Sequence, residues 1–212
     1  TYYLSITKGM VNMTNEKMSE STLINLLDSC YRSAIDGMAG NPSAKALADE
    51  FLQKEGGNVK AAAKRLIGMQ KVLCGGAGFL TGVGGLITAV VAVPADIAGT
   101  VYMQLRMICA IAYMGGFDPE NENVRSLVYA CLAGVPTDKY ITTESDVYDI
   151  PIEVSREINR EAMYRLLSKA GTRGAASIFK MAPILGGAIG AFLDVSIAGT
   201  VADNALKVFI RE

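Results

Sequence analysis

Residues 72–95 read VLCGGAGFLTGVGGLITAVVAVPA, a stretch of 24 residues without a charged side chain that contains six glycines and one proline. Its length and lack of charge are typical of a membrane span. Its glycine content instead favours close approach of the backbone to another helix or to a ligand, because glycine has no side chain to keep them apart. The stretch itself leaves both interpretations open.

The composition of the chain is apolar for a soluble domain but short of a protein with several membrane spans. Of its 212 residues, 50% are hydrophobic and 19% are charged, and the net charge is −1. This length suffices for one sizeable core or two small ones. Because neither a basic field nor a nucleic-acid-reading motif is present, we expect no nucleic-acid partner.

The absence of histidine excludes Ser-His-Asp and Cys-His catalysis and removes the commonest zinc ligand. We therefore expect no metal and no cofactor. No basic segment followed by an apolar one marks a signal peptide, which predicts a cytoplasmic protein. The cysteines are far apart in apolar surroundings, which indicates buried free thiols in a reducing compartment; they are Cys30, Cys74, Cys109 and Cys131.

Apolar residues recur at spacings of three and four along most of the chain, which predicts an all-α protein. Asn41 is expected to cap the second helix with Pro42 in its first position, Asn58 is expected to cap the third, and Pro119 is expected to restart a later one. After a polar N-terminal segment, residues 1–20, the first helix runs from residue 21 to the glycines at 37 and 40. The other helical stretches cover residues 42–55, 59–73, 95–114, 119–133, 150–170 and 175–209.

The pentapeptide IAGTV occurs twice, at residues 97–101 and 197–201, and each copy follows a glycine-containing apolar stretch. One interpretation is coincidence among common residues. The other is a pair of similar helical hairpins packed about a pseudo-twofold axis. We predict that residues 21–212 form a single compact helical bundle and adopt the second interpretation for its centre. Its pseudo-symmetric core consists of two glycine-rich apolar hairpins, residues 72–114 and 175–209.

Two separated blocks of sequence carry a family resemblance. The first block contains residues 94–96 (PAD), 104–108 (QLRMI), 111–112 (IA) and 116–118 (GFD), and the second contains 158–160 (INR), 165–171 (RLLSKAG), 180–190 (KMAPILGGAIG) and Asp194. In order and spacing these blocks, with residues 124–127 and 131–134 between them, resemble the EcsC protein family over about residues 23–209. One position departs from the pattern, since family members often have glycine near position 162 and this chain has Ala162.

The resemblance implies an all-helical, apolar bacterial protein. The family takes its name from an operon that also encodes the ATPase and membrane subunits of an ABC transporter, which makes transporter subunits candidate partners. The resemblance implies no particular reaction.

A few charges interrupt the apolar helices, and a charge removed from water must be paired or neutralised. One interpretation is buried ion pairs that fix the register of the bundle, with Arg165, Lys169 or Lys180 opposite Asp96 or Asp194. Another is a polar pocket in which cations hold a phosphate or carboxylate head group and apolar walls hold a lipid-like tail. The candidate ligand-binding residues are Asp96, Gln104, Arg106, Arg165, Lys169, Lys180 and Asp194.

Three functions follow from these alternatives. The first is a helical protein that binds membranes or a lipid-like ligand, peripherally at the inner face of the cell membrane, and is accessory to ABC transport or envelope processes. The second is a membrane-inserting effector that oligomerises through its glycine-rich hairpins. The third is a histidine-independent enzyme acting on a lipid or peptide, which requires a cleft where at least two of Asp96, Arg106, Lys169, Lys180 and Asp194 converge. The first is the hypothesis we adopt from the sequence.

Overall fold

The computed structural model of the chain describes residues 19–38, 40–74, 95–137, 147–170 and 195–210, with the backbone alone for 71–74, 95–97, 167–170 and 195–198. Within these ranges it contains helices and no strand apart from an isolated bridge, which confirms the predicted all-α class. The helices are α1 (Glu20–Asp36), α2 (Ala44–Lys54), α3 (Val59–Cys74), α4 (Ala95–Met114), α5 (Glu122–Ala133), α6 (Ile152–Ala170) and α7 (Val195–Phe209).

Helix α4 lies at the centre of the described structure. It packs against α1, α2, α3, α5 and α7, and every residue from 98 to 112 is buried. A helix that is apolar on all sides must be covered on all sides, and the neighbouring helices provide that cover. Among the described residues, no helix combines the length and the hydropathy needed to cross a bilayer.

The start of α2 differs from the prediction at Asn41. Met38 and Asn41 exchange two backbone hydrogen bonds, of 2.9 and 2.8 Å, so Asn41 belongs to the turn that follows α1. The hydroxyl of Ser43 caps α2 instead and accepts a hydrogen bond from the Ala46 amide at 3.1 Å. Serine and asparagine are about equally good N-caps, so the turn decides between them. The predicted cap of α3 is confirmed, because Asn58 Oδ1 accepts from the Ala61 amide at 2.9 Å.

Helix α5 begins at Glu122 rather than at Pro119. The carboxylate of Asp118 accepts a hydrogen bond from the Glu120 amide at 2.9 Å, which holds the residues around Pro119 in a turn. The side chain of Asn121 then caps the helix by accepting from the amide of Asn123 at 2.9 Å. Asp118 and Asn121 are both suitable N-caps near Pro119, and the sequence pattern alone does not show which of them begins the helix.

The two glycine-rich stretches, residues 75–94 and 171–194, lie outside the described residues. Their pairing in a pseudo-symmetric core therefore stays a prediction. The helices that follow them are described: α4 and α7 pack against each other, and each begins with a copy of IAGTV. The C-terminal ends of these helices meet, since the rings of Phe117 and Phe209 lie 5.5 Å apart.

Candidate functional site

A half-open apolar groove lies between α1, α5 and α6. Its volume is about 120 Å³, well below the roughly 300–1,000 Å³ of pockets that hold a drug-sized ligand. The groove therefore accommodates a narrow apolar group rather than a whole small molecule. Helix α1 lines it with Ile24, Leu27 and Asp28, and α6 lines it with Ala162, Met163 and Leu166.

Helical periodicity explains which side chains reach the groove. Ile24 and Leu27 are three residues apart on α1, and Ala162 and Leu166 are four apart on α6, so each pair shares one face of its helix. Leu27 and Ala162 are buried, whereas Ile24 is 40% exposed. The small side chain of Ala162 leaves room where a larger one would fill the groove.

An arginine from α5 stands at the edge of this groove. Arg125 forms an ion pair with Asp28, and both side chains are partly exposed. Its Nε and Nη2 atoms donate to the hydroxyl of Tyr129 at 3.1 and 3.0 Å. Because Asp28 and Tyr129 both line the groove, the guanidinium group lies at its rim.

Two tyrosine rings hold this guanidinium group in place. The Cζ atom of Arg125 lies 4.8 Å from the ring centroid of Tyr31 and 5.5 Å from that of Tyr129, within range of cation–π attraction. Burial acts to lower the pKa of Arg125, but Tyr129 and Asp28 favour the cation and the net effect raises it. Burial raises the pKa of Tyr129 to about 12. At neutral pH the cluster is therefore a fixed cation beside two neutral phenols.

A small polar network joins α5 to α6 next to the groove. Ser126 Oγ donates to the Glu122 carbonyl at 3.0 Å and accepts from the Asn159 amide at 3.0 Å. Its distance to the hydroxyl of Ser155 is 2.8 Å. Because a serine hydroxyl has one donor, already used here, Ser155 is the donor in that last bond. The network fixes α6 against α5 and so sets the width of the groove.

Among the sequence-predicted site residues, Arg165 has local partners. It donates to Glu161 one turn earlier, at 3.1 and 2.7 Å, and to the carbonyl of Gly134 at 2.7 Å. Gly134 ends α5 in the left-handed conformation, so Arg165 brings a positive charge to the C-terminus of that helix, where the helix dipole favours it. The suggested pairing of Arg165 with Asp96 or Asp194 stays a prediction, since neither carboxylate is among the described side chains.

Arg106 and Gln104 are both buried on α4. The Nε atom of Arg106 donates to the carbonyl of Pro42 at 2.8 Å, so this arginine ties the centre of the bundle to the turn before α2. Burial lowers the pKa of Arg106, while Tyr102 and Glu50 act against that shift. One turn earlier on α4 is Tyr102, whose hydroxyl is buried without a hydrogen-bond partner among the described residues.

Removing the hydroxyl of Tyr31 and removing that of Tyr102 are expected to have different effects on the free energy of unfolding. Tyr31 donates to the Pro119 carbonyl at 2.7 Å, so Tyr31→Phe leaves that buried acceptor unpaired and is expected to lower the free energy of unfolding by about 1–2 kcal/mol. Tyr102→Phe removes a desolvated hydroxyl that has no hydrogen bond to any described residue, and it is expected to leave stability unchanged or raise it by about 1 kcal/mol. Urea unfolding followed by circular dichroism measures both. An equal loss of stability in the two variants would contradict the conclusion that only the Tyr31 hydroxyl is hydrogen-bonded to a described residue.

The remaining predicted site residues lie outside the described side chains. Asp96 and Lys169 belong to α4 and α6, of which only the backbone is described at those positions, and Lys180 and Asp194 are in residues 171–194. The structure thus does not bring the seven candidates together at one described place. Their role in ligand binding stays a prediction.

The residues that form the groove rim were missed as a site by the sequence analysis. Arg125 is the only charged residue between residues 123 and 137, and Tyr129 follows it by one helical turn. That pattern is a usable signal for a cation held by an aromatic ring. Its partner Asp28 lies 97 residues away in the sequence, and no local pattern relates the two.

In the described part of the chain, no three cysteine, aspartate or glutamate side chains lie close enough together to hold a metal ion. Cys30, Cys109 and Cys131 are free and buried, as expected. Burial raises the pKa values of Cys30 and Cys109 to about 12, so both are unreactive thiols at neutral pH. The side chain of Cys74 is outside the described residues.

Comparison with protein families gives one match, to the family model described as the EcsC protein family. The match covers residues 5–211, which is nearly the whole chain. No curated protein and no solved structure matches the chain.

Proposed function

Because this chain belongs to the EcsC protein family, we propose for it the role of a lipid-associated helical protein that binds an amphipathic ligand in the groove between α1, α5 and α6. We further propose that it acts peripherally at the inner face of the cell membrane, as an accessory to ABC transport or to envelope processes. The observation that supports ligand binding is the groove itself, an apolar cleft with an ion pair at its rim.

The layout of the groove suits an amphipathic molecule. Leu27, Ala162 and Leu166 offer an apolar surface to a hydrocarbon chain. Asp28 and Arg125 offer charge at the rim, where each side chain is partly exposed to water. A purely polar ligand would leave the apolar walls without a partner, and a purely apolar one would leave the rim charges beside hydrocarbon.

The size of the groove predicts weak and reversible binding. A volume of about 120 Å³ holds only a short part of one hydrocarbon chain. Each buried methylene contributes about 0.8 kcal/mol, and association itself costs several kcal/mol. We therefore expect dissociation constants in roughly the micromolar to millimolar range, as suits a protein that picks up and releases a lipid-like molecule.

Filling the groove is the direct test of this proposal. Ala162→Leu adds a branched side chain to the buried wall and is expected to weaken binding of a decyl-chain amphiphile at least tenfold. That loss corresponds to about two buried methylenes. Isothermal titration calorimetry below the critical micelle concentration measures the affinity, and sedimentation with phospholipid vesicles measures membrane association. Tyr164→Leu is the matched control, because Tyr164 is on the same helix but 72% exposed.

Because Ala162 is buried, thermal unfolding must show that the Leu variant remains folded. Ile24→Ser provides a second variant, on the opposite wall at a position that is 40% exposed. Binding that is unaffected by both variants, or a wild-type protein that binds neither amphiphile nor vesicles, would contradict the proposed function.

The alternatives from the sequence depend on other parts of the chain. The membrane-inserting effector depends on the glycine-rich stretches, residues 75–94 and 171–194, which are outside the described residues. The enzyme needs two of five charged residues in one cleft, and of those five only the side chain of Arg106 is described; it binds the Pro42 carbonyl. Both alternatives stay predictions of the sequence.

A further inference from the structure

The ion pair at the groove rim is open on both of its sides. Nη2 of Arg125 donates to Oδ1 of Asp28, and Nε and Nη2 donate to Tyr129. Among the described residues, neither Nη1 of Arg125 nor Oδ2 of Asp28 takes part in a hydrogen bond. The side chains are 38% and 41% exposed, so a guanidinium donor group and a carboxylate acceptor remain available next to the apolar cleft.

We propose that the ligand of this groove is a single-chain zwitterionic amphiphile with a primary ammonium and a phosphate. Its ammonium binds Oδ2 of Asp28, its phosphate binds Nη1 of Arg125, and the first part of its hydrocarbon chain enters the groove. This inference rests on the proposed function, because it names the head group of the ligand bound at that same site.

Charge complementarity selects a zwitterion over a singly charged head group. A phosphate alone would gain Arg125 but would lie beside the Asp28 carboxylate, and an ammonium alone would gain Asp28 but would lie beside the guanidinium group. Like charges at such short range oppose binding. A head group with both charges places its ammonium beside Asp28 and its phosphate beside Arg125. Positive and negative groups then alternate, and the ion pair between Asp28 and Arg125 stays intact.

The aromatic residues keep the cation in position for this role. Tyr31 lies against one side of the guanidinium group, Tyr129 also receives two of its hydrogen bonds, and the two rings pack edge to face with centroids 5.4 Å apart. The hydroxyl of Tyr31 is in turn anchored on the Pro119 carbonyl. A side chain that is already ordered loses less entropy when a ligand binds, so the rim is prepared for a polar head group.

The experiment compares four amphiphiles with the same decyl chain, each below its critical micelle concentration: decyl phosphoethanolamine, decyl phosphate, decylamine and decyl maltoside. Titration calorimetry on the whole chain is expected to show the phosphoethanolamine binding about tenfold tighter than the other three, as for one further charge-assisted hydrogen bond. Equal affinity for all four would overturn the inference while leaving the proposed function in place. No binding of any of them would overturn the proposed function as well.

Two charge-removing variants are expected to change the head-group selectivity in opposite directions. Asp28→Asn is expected to weaken phosphoethanolamine binding about tenfold and to strengthen decyl phosphate binding. Arg125→Gln is expected to weaken phosphoethanolamine binding similarly and to strengthen decylamine binding. Asp49→Asn is the matched control, since it breaks the exposed Lys45–Asp49 pair on α2, away from the groove, and is expected to change nothing.

The pattern across variants decides between a head-group site and a structural ion pair. A structural pair would lower binding of all four amphiphiles together, or of none, and either result would overturn the inference. Asp28→Asn keeps the test independent of the tyrosine contacts of Arg125, because it leaves that arginine and its two rings in place.

Discussion

Replacing Gly115 by alanine is expected to lower the free energy of unfolding by about 3–5 kcal/mol. A Cβ atom added there would lie 2.0 Å from the carbonyl oxygen of Phe209 and 3.0 Å from its carbonyl carbon. Both atoms belong to the backbone at the end of α7, so no side-chain rotation relieves the contact. The end of α7 would have to move away from α4, which would disturb the packing of Phe117 against Phe209.

Thermal or urea unfolding of the Gly115→Ala variant, followed by circular dichroism, measures the loss. Gly68→Ala is the control, because Gly68 lies within α3, is exposed, and has no atom of another described residue within 4 Å of an added Cβ. There the loss of chain entropy in the unfolded state dominates, and a gain of about 0.5–1 kcal/mol is expected. A Gly115 variant as stable as the wild type would mean that α4 and α7 are not in close contact at this point.

Phe209→Ala is expected to cost about 3–5 kcal/mol, the usual range for removing a fully buried aromatic side chain. Phe209 is 1% exposed, and its ring packs against that of Phe117 with a centroid distance of 5.5 Å. The substitution removes apolar contact area and leaves a cavity where α4 and α7 meet, and the surrounding backbone fills that cavity only in part.

The same unfolding measurement applies, with Tyr164→Ala as the control for loss of an aromatic side chain from a helix. Tyr164 is 72% exposed, so its removal is expected to change stability by no more than about 0.5 kcal/mol. If the two variants lost similar amounts, the C-terminal end of α7 would not be part of the core.

Element by element, the helices follow from local signals. The bounds of α4 agree with the prediction and those of α3 agree to within one residue, because Asn58 is a strong cap and glycines follow the last apolar residue of α4. The starts of α2 and α5 were wrong by two or three residues. In both cases two polar residues near a proline compete for the same role, and hydrogen bonds in the adjoining turn select one of them.

The candidate site, in contrast to the helices, could not be predicted from local sequence signals. The predicted site residues were mainly charges inside apolar helices, and one of them, Arg106, is indeed buried. Arg125 was not among them, because its one local signal, Tyr129 a helical turn later, does not indicate Asp28 or Tyr31. What makes Arg125 distinctive is its contact with Asp28 and Tyr31 from α1, and such contacts depend on how α1 and α5 pack.

The sequence by itself determined that this chain is helical and where most of the helices lie, because helical periodicity and capping act between residues a few positions apart. Only the tertiary structure decided that α4 is enclosed by its neighbours, that Gly115 touches the backbone of Phe209, and that Asp28 and Arg125 meet at the rim of an apolar groove. The last two of these contacts join residues more than ninety positions apart in the sequence. Their formation depends on which apolar faces cover one another, which a one-dimensional pattern does not encode.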